Sequence, residues 1–157
     1  MQRKALDRID LKILNELQRD GRMTNQALSE RVGLSARPCL ERVRRLERDG
    51  VISGYTALID VRRVRSVVIV IVQIALAKQT RQSQSLFERR LATHPEVVEC
   101  YEVPGHFDYI AKIVATDIDA YQDLTAAWLD DPEMGIARIE SNVVLRPVRE
   151  LGAPPLE

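Results

Sequence analysis

TNQALSERVGLSARPCLERVRRLER, residues 24–48, consists of two short amphipathic segments on either side of a turn at Gly33. Glycine tolerates the positive φ that such a turn needs. Ser35 is predicted to cap the second segment by accepting a hydrogen bond from a free backbone N–H group. Pro38 falls in the first turn of that segment, where its missing N–H costs little. The pattern predicts a helix-turn-helix, whose second helix enters the major groove of DNA.

The second helix, predicted over residues 36–48, separates its side chains by face at about 100° per residue. The apolar face, predicted to pack, carries Cys39, Leu40, Val43 and Leu46. The charged face carries Arg37, Glu41, Arg44, Arg45 and Arg48. A solvated face with an i,i+4 pair between Glu41 and Arg45 is one interpretation. Arginine without lysine favours DNA, because its planar fork binds phosphate or guanine through two hydrogen bonds.

We therefore predict that this helix contacts DNA. Arg37 lies near its N-terminal end and is expected to reach base edges, whereas Arg42, Arg44 and Arg45 are expected to contact phosphates. The full set of candidate DNA-binding residues is Ser35, Arg37, Pro38, Glu41, Arg42, Arg44 and Arg45.

The charge distribution supports a nucleic-acid partner for one half of the chain. The whole chain is neutral, with 23 basic and 23 acidic residues. Residues 1–65 hold 15 basic and 9 acidic side chains, a net charge of +6, and residues 66–157 hold 8 and 14, a net charge of −6. A basic half beside an acidic half indicates that only the first half contacts DNA.

Length and composition indicate a globular protein of one large or two small domains, since 45% of the 157 residues are apolar. No charged-then-apolar leader precedes residue 20, and the longest apolar run, residues 67–77, is too short to span a bilayer. The two cysteines, Cys39 and Cys100, form no CxxC pair. We expect a reduced, cytoplasmic setting and no membrane partner.

The first half is predicted to be a winged helix-turn-helix domain over residues 1–60. An additional helix precedes the two described above, and it ends at Asp20-Gly21. Thr24 starts the next helix, and Asp49-Gly50 stops the third. Residues 51–59 alternate enough for a strand or small wing. The arginine-rich residues 61–66 are predicted to be a linker.

The second half, residues 67–150, has the pattern βαββαβ. Strands are predicted over 67–77, 97–103, 107–115 and 136–145, with a helix over 83–93 and another capped by Asp117. This order is the ferredoxin-like split βαβ pattern, so the fold class is α+β. Residues 151–157 are predicted to be a C-terminal tail.

The first strand of this domain predicts self-association. VVIVIVQIAL, residues 67–76, is apolar on both faces, but the two helices cover only one face of a four-stranded antiparallel sheet. The economical cover for the other face is a second copy of the sheet, in a two-fold dimer. A dimer also presents two recognition helices to one DNA.

Residues 6–60 resemble the leucine-responsive regulatory protein/AsnC family of feast/famine regulators. The stretch that carries the resemblance reads LDRIDLKILNELQRDGRMTNQALSERVGLSARPCLERVRRLERDGVISGYTALID. The second half is similar in layout and in its loop VPGHFDY, residues 103–109. The resemblance implies a transcriptional regulator that binds double-stranded DNA. It also implies a domain that dimerises, assembles further to an octamer or similar, and binds a small effector, commonly an amino acid, between dimers.

The resemblance further implies an effector pocket at Glu102, Gly105, His106, Asp108, Ile118, Asn142, Val143 and Val144. Glycine lets backbone N–H groups approach a carboxylate, and an aspartate holds an ammonium group. A turn role for Asp108, with its carboxylate bonded to backbone, is the alternative. Glu102 and Asn142 stand where the leucine-type pocket is apolar and aromatic, and His106 replaces an acidic residue. These differences favour a polar or cationic effector over leucine.

No residues in the sequence suggest catalysis. There is no glycine-rich phosphate loop and no HExxH, and the two histidines lack metal-ligand spacing to each other or to a cysteine. We expect no enzyme activity, metal or cofactor besides the effector. Two alternatives remain: an architectural DNA-binding protein of low specificity, and an amino-acid-binding regulatory subunit of a metabolic enzyme. The basic first half argues against the second.

Overall fold

The computed structural model describes residues 6–150 and 154–156, which form two compact units. The first unit runs to Leu58 and includes the described residues from Arg149 onward; the second runs from Ile59 to Val148. The tail predicted over 151–157 lies partly outside the described residues. Within the described ranges, no helix is long and apolar enough to cross a membrane.

The first unit contains the three predicted helices: α1 (Arg8–Arg19), α2 (Asn25–Val32) and α3 (Ala36–Arg48). Thr24 caps α2 by accepting a hydrogen bond from the Ala27 N–H. Gly33 ends α2 with φ 76°, which confirms the predicted left-handed turn residue. Side chains from all three helices form the core: Ile13, Leu14, Leu28, Val32, Cys39 and Leu46.

Three details of the first unit differ from the sequence prediction. Ser35 stands at the N-cap of α3, but its side chain makes no capping hydrogen bond, so that part of the prediction is wrong. Leu40, predicted to pack, is 36% exposed. Residues 51–59 form no strand, because no described strand lies beside them to complete a ladder. The Tyr55 hydroxyl instead donates to Glu47 on α3, at 3.0 Å.

The second unit has the predicted βαββαβ order, preceded by one short helix. The elements are α4 (Val61–Val64), β1 (Val68–Leu76), α5 (Arg81–Leu91), β2 (Val97–Glu102), β3 (Tyr109–Ala115), α6 (Ile118–Asp130) and β4 (Ile136–Val143). The segment predicted to be a linker, residues 61–66, contains a helical turn, which Asp60 caps. All strand pairs are antiparallel, in the order β2-β3-β1-β4.

Strand β1 is apolar on both faces, as predicted. Val70, Val72, Ile74 and Leu76 belong to a buried core that includes Phe87 of α5 and Trp128 of α6. The intervening residues point to the opposite side of the sheet, because side chains alternate along a strand. We call that side the open face; on the two central strands it carries Ile69, Ile71, Gln73, Ala75, Ile110, Lys112 and Val114.

Candidate DNA-binding face and effector site

One stripe of α3 points away from the core of the first unit. Arg37, Glu41, Arg44 and Arg48 are exposed and recur at spacings of three, four and seven residues. We call these four residues the outward face. Arg37 lies 3.3 Å from Glu41, and both side chains are largely exposed. The i,i+4 pair on this helix is thus Arg37–Glu41, and not the Glu41–Arg45 pair considered from the sequence.

The other two arginines of α3 are bound to carboxylates at the N-terminal end of α1, where Asp7 is the N-cap and Asp10 lies in the first turn. Arg42 lies 2.5 Å from Asp7 and 2.8 Å from Asp10, and Arg45 lies 2.5 Å from Asp10. Asp10 is only 1% exposed. The hydrogen bond from Arg42 holds the pKa of Asp7 below its ordinary value, and the same bond raises the pKa of Arg42. We call these four residues the aspartate–arginine cluster.

Packing and one polar contact fix α3 against α2. Cys39 is fully buried and Leu46 is 1% exposed, so α3 is anchored at its start and near its end. The Asn25 side chain donates to the Ala36 carbonyl at 2.8 Å, which ties the first turn of α3 to the start of α2. Burial raises the pKa of the Cys39 thiol, as expected for a packing residue and not a reactive thiolate.

The structure thus sorts the seven candidate DNA-binding residues into two sets. Ser35, Arg37, Pro38, Glu41 and Arg44 are exposed, whereas Arg42 and Arg45 are engaged with α1. Arg48 lies on the outward face but was not among the candidates. The sequence feature that could have identified Arg48 is its position four residues after Arg44, which puts both side chains on the same face of the helix.

The predicted effector loop is held by backbone hydrogen bonds. Gly105 has φ 132°, a conformation that disfavours any side chain. The Val103 N–H donates to the Asp108 carbonyl, and the Asp108 N–H donates to the Ile74 carbonyl, both at 2.9 Å. The Asp108 side chain is 8% exposed and accepts a hydrogen bond from the Leu76 N–H at 2.7 Å. One carboxylate oxygen of Asp108 therefore has a structural partner at the end of β1.

The eight predicted effector residues form two groups in the second unit. The loop group lies at or beside the β2–β3 turn: Glu102, Gly105, His106 and Asp108. The distal group lies at the start of α6 and the end of β4: Ile118, Asn142, Val143 and Val144. Tyr109, beside the loop group, pairs with Ile74 on β1, whereas Val143 pairs with Val70.

One residue from each group also lies on an outer strand at opposite edges of the sheet. Glu102 is on β2 and Asn142 is on β4, the two outer strands of the order β2-β3-β1-β4. Three inter-strand spacings of about 4.8 Å put those strands roughly 14 Å apart. A single chain therefore does not bring the predicted effector residues together.

A cavity of about 330 Å³ lies beside the loop group, between α5 and β2. Glu102 lines it and accepts a hydrogen bond from Gln84 at 3.1 Å; Glu88 lines it and accepts one from the Tyr109 hydroxyl at 2.9 Å. The pKa values of Tyr109 and Cys100 are both raised. Burial is the larger cause in each case, and the neighbouring Glu88 carboxylate is the second. The cavity lining contains three glutamates, Glu88, Glu99 and Glu102, and no lysine or arginine among the described residues; Lys112, outside the lining, lies 3.6 Å from Glu99.

Glu88 was not predicted from the sequence, because nothing about a glutamate in a helix indicates which strand the helix will pack against. Among the described residues, the structure contains no group of three potential metal ligands.

Comparison with known proteins identifies both units. Residues 6–53 match the model of the winged helix-turn-helix DNA-binding family, and residues 69–154 match the Lrp/AsnC ligand binding domain. The chain belongs to the Lrp/AsnC family, and it is a DNA-binding transcriptional regulator with a ligand-binding domain.

Two curated relatives illustrate the similarity. The chain is 43% identical over 152 residues to the Bkd operon transcriptional regulator of Pseudomonas aeruginosa, covering 96% of this chain and 98% of that one. It is 49% identical over 126 residues to the leucine-responsive regulatory protein of Escherichia coli, covering 80% and 77%.

Two solved structures share the fold along nearly the whole chain. A transcriptional regulator from Neisseria meningitidis, in complex with L-Met, superposes with a TM-score of 0.89 at 32% identity and covers 97% of both chains. An AsnC family regulator from Agrobacterium tumefaciens superposes with a TM-score of 0.88 at 33% identity, covering 96% of this chain and 97% of that one.

Proposed function

We propose that this regulator responds to an amino acid with a polar or cationic side chain, which binds the second unit and changes the affinity of α3 for DNA. The observation that carries the effector class is the pair of carboxylates at Glu88 and Glu102 in the cavity between α5 and β2; Glu102 is the member of the loop group that lines this cavity. The Neisseria relative, solved with L-Met, supports an amino acid as the ligand. We further propose that the chain acts in the cytoplasm and has no catalytic activity of its own.

The effector site, in this proposal, is shared between copies of the chain. The loop group and the distal group lie at opposite ends of one sheet, and Glu102 and Asn142 lie on its two outer strands. A small amino acid spans well under the roughly 14 Å between the outer strands. Residues of both groups therefore contact one effector only if the loop group of one copy faces the distal group of another.

Assembly begins, we infer, with a dimer through the open face. Ile69, Ile71 and Ala75 of β1 lie there with Ile110 and Val114 of β3, and the buried core that contains Phe87 of α5 and Trp128 of α6 lies on the other side of the sheet. Covering an apolar face with an identical one satisfies two-fold symmetry and buries both. Further association of dimers, to an octamer or similar, supplies the interface where the shared effector site forms.

Within the site, we assign complementary roles to the loop residues. Backbone N–H groups around Gly105 bind the effector carboxylate, and Asp108 binds its ammonium group. Asp108 can do so while Leu76 retains its hydrogen bond, since a carboxylate has about four lone-pair positions on two oxygens. Glu102 faces the effector side chain and favours a cation there.

Calorimetric titration with leucine, methionine, glutamine, lysine and arginine tests the effector class. We expect lysine, arginine or glutamine to bind more tightly than leucine; tightest binding by leucine would contradict the role given to Glu102. Asp108→Asn keeps an acceptor for the Leu76 N–H but loses the charge, so it should abolish binding without unfolding. Asp123→Asn, an exposed carboxylate on α6, is the matched control and should bind as the wild type does.

An architectural role of low specificity is the competing function. It predicts similar affinity for a selected site and for random DNA, and no effect of any amino acid on either. A specific regulator binds its site about 10³–10⁷ times more tightly than random DNA.

A further inference from the structure

The aspartate–arginine cluster joins α1 to the recognition helix α3 at two points. Asp10 accepts hydrogen bonds from Arg42 at 2.8 Å, from Arg45 at 2.5 Å and from the Asp7 N–H at 3.1 Å. Asp7 caps α1 by accepting from the Ile9 and Asp10 N–H groups, and its other oxygen accepts from Arg42 at 2.5 Å. The carboxylates and guanidinium groups thus form one connected network.

From this geometry we infer that Asp10 is a positioning residue for DNA recognition, and that Arg42 and Arg45 act through it and not as phosphate contacts. Asp10 is 1% exposed and Arg42 is 28% exposed, so the network is withdrawn from the surface of α3. Arg45 is 44% exposed, but its guanidinium is bonded to Asp10. Such an arginine gains less from a phosphate, because it already has an anionic partner.

The charges of the cluster cancel. Two aspartates face two arginines, so the cluster contributes no net positive charge to the DNA-facing surface. On the outward face, Arg44 and Arg48 make no ion pair with any described residue. On this helix, phosphate contacts that displace counterions from DNA are therefore made mainly by Arg44 and Arg48.

The two attachment points also fix the rotation of α3 about its own axis. Arg42 and Arg45 are three residues apart, so both point to the same side of the helix, towards α1. A rotation of about 20° would move a side chain roughly 2 Å at a helix radius of 5–6 Å. That displacement is enough to break a hydrogen bond between Arg37 and a base edge. Asp10 thereby controls sequence specificity without touching DNA.

The test compares arginine variants by the salt dependence of DNA binding. The binding constants of Arg42→Gln, Arg45→Gln and Arg44→Gln are measured at several salt concentrations, on a site selected from a random pool and on random DNA. Arg44→Gln should reduce the slope of log affinity against log salt by about one unit. Arg42→Gln and Arg45→Gln should leave the slope unchanged. A loss of about one unit in each of these two would overturn the inference.

Asp10→Asn tests the positioning role directly. The substitution keeps the shape of the side chain and removes its charge. We expect affinity for the selected site to fall at least tenfold, while affinity for random DNA does not fall, because two arginines are released. An unchanged ratio of selected to random affinity in a folded variant would refute the positioning role. If Asp10→Asn does not fold, the salt slopes and affinity ratios of Arg42→Gln and Arg45→Gln decide the question alone, because the side chains replaced in these two variants are themselves partly exposed.

Discussion

Replacing Ile71 by aspartate should convert the protein to monomers. Ile71 lies on the open face in the middle of β1, where it pairs with Lys112 on β3 and Asn142 on β4. Those polar neighbours keep the new carboxylate hydrated in a single chain, so each chain should remain folded. The substitution therefore lowers the stability of the dimer and not that of the single chain. Val70, the preceding residue, is fully buried against the helices, and the same change there would test the core and not the interface.

The size of the effect follows from burial and symmetry. Removing a half-buried isoleucine from the interface forfeits about 1.5 kcal/mol of apolar burial. Enclosing a carboxylate that Lys112 only partly compensates costs about 2 kcal/mol more. Because a two-fold interface contains each residue twice, the total is about 7 kcal/mol. At 1.4 kcal/mol per tenfold change, the dimer dissociation constant rises by about 10⁵.

Light scattering and sedimentation at micromolar concentration measure the outcome. The wild type and Ile71→Val should be dimers or larger, and Ile71→Asp should be monomeric with unchanged helical content. Leu129→Asp, an exposed position on α6, is the matched control and should remain associated. A monomeric wild type, or an Ile71→Asp variant that still dimerises at low micromolar concentration, would refute the assignment of the open face.

Three further outcomes are expected. Arg37→Ala should cost roughly 1–3 kcal/mol on a selected DNA site and relax sequence preference, because Arg37 is exposed at the start of α3; equal losses on selected and random DNA would contradict base contact. Since its pKa is lowered by Arg42, Asp7 stabilises the fold above its ordinary pKa of 3.8, and that stability is lost as the pH falls through the lower folded value. Below pH 4, the free energy of unfolding should therefore fall less steeply with decreasing pH in Asp7→Asn than in the wild type. Asparagine retains an N-cap acceptor, so the comparison isolates the charge. The same pH dependence in both proteins would count against the Asp7–Arg42 pairing. Cys39, fully buried with its pKa raised, should resist alkylation in the native protein while Cys100 reacts faster; labelling followed by mass spectrometry decides this.

Local signals in the sequence predicted most of the fold. Thr24, Gly33 and Asp117 act on the backbone within a few residues, and the helices they start or end lie where predicted. The nearly continuous run of apolar residues along β1 likewise predicted two apolar faces. Residues 51–59 carry a similar strand pattern but form no strand, since a strand also needs a neighbour that its own sequence does not specify.

The ion-pair partners of the individual arginines on α3 could not be predicted from the sequence and were found only in the structure. Helical periodicity put Arg45 on the charged face of α3, but its partner Asp10 lies 35 positions earlier in the chain. No spacing rule connects residues so far apart. The same limit applies to Glu88, which meets Tyr109 only after β3 folds back beneath α5.

The effector residues show a different limit. Resemblance supplied eight positions, but not the fact that one chain divides them between the two ends of its sheet. If the site is shared between copies, as proposed, its composition depends on assembly, and assembly depends on surfaces that periodicity describes only as apolar or polar.

The most direct test of the account is the affinity for a selected DNA site with and without the amino acid that most raises thermal stability in a screen of all twenty. We predict that this amino acid changes the DNA affinity of the wild type and that DNA changes its affinity for the amino acid by the same factor. Asp108→Asn should bind DNA as the ligand-free wild type does and should not respond. DNA affinity that is the same with every amino acid, in a protein that binds one of them, would contradict the account.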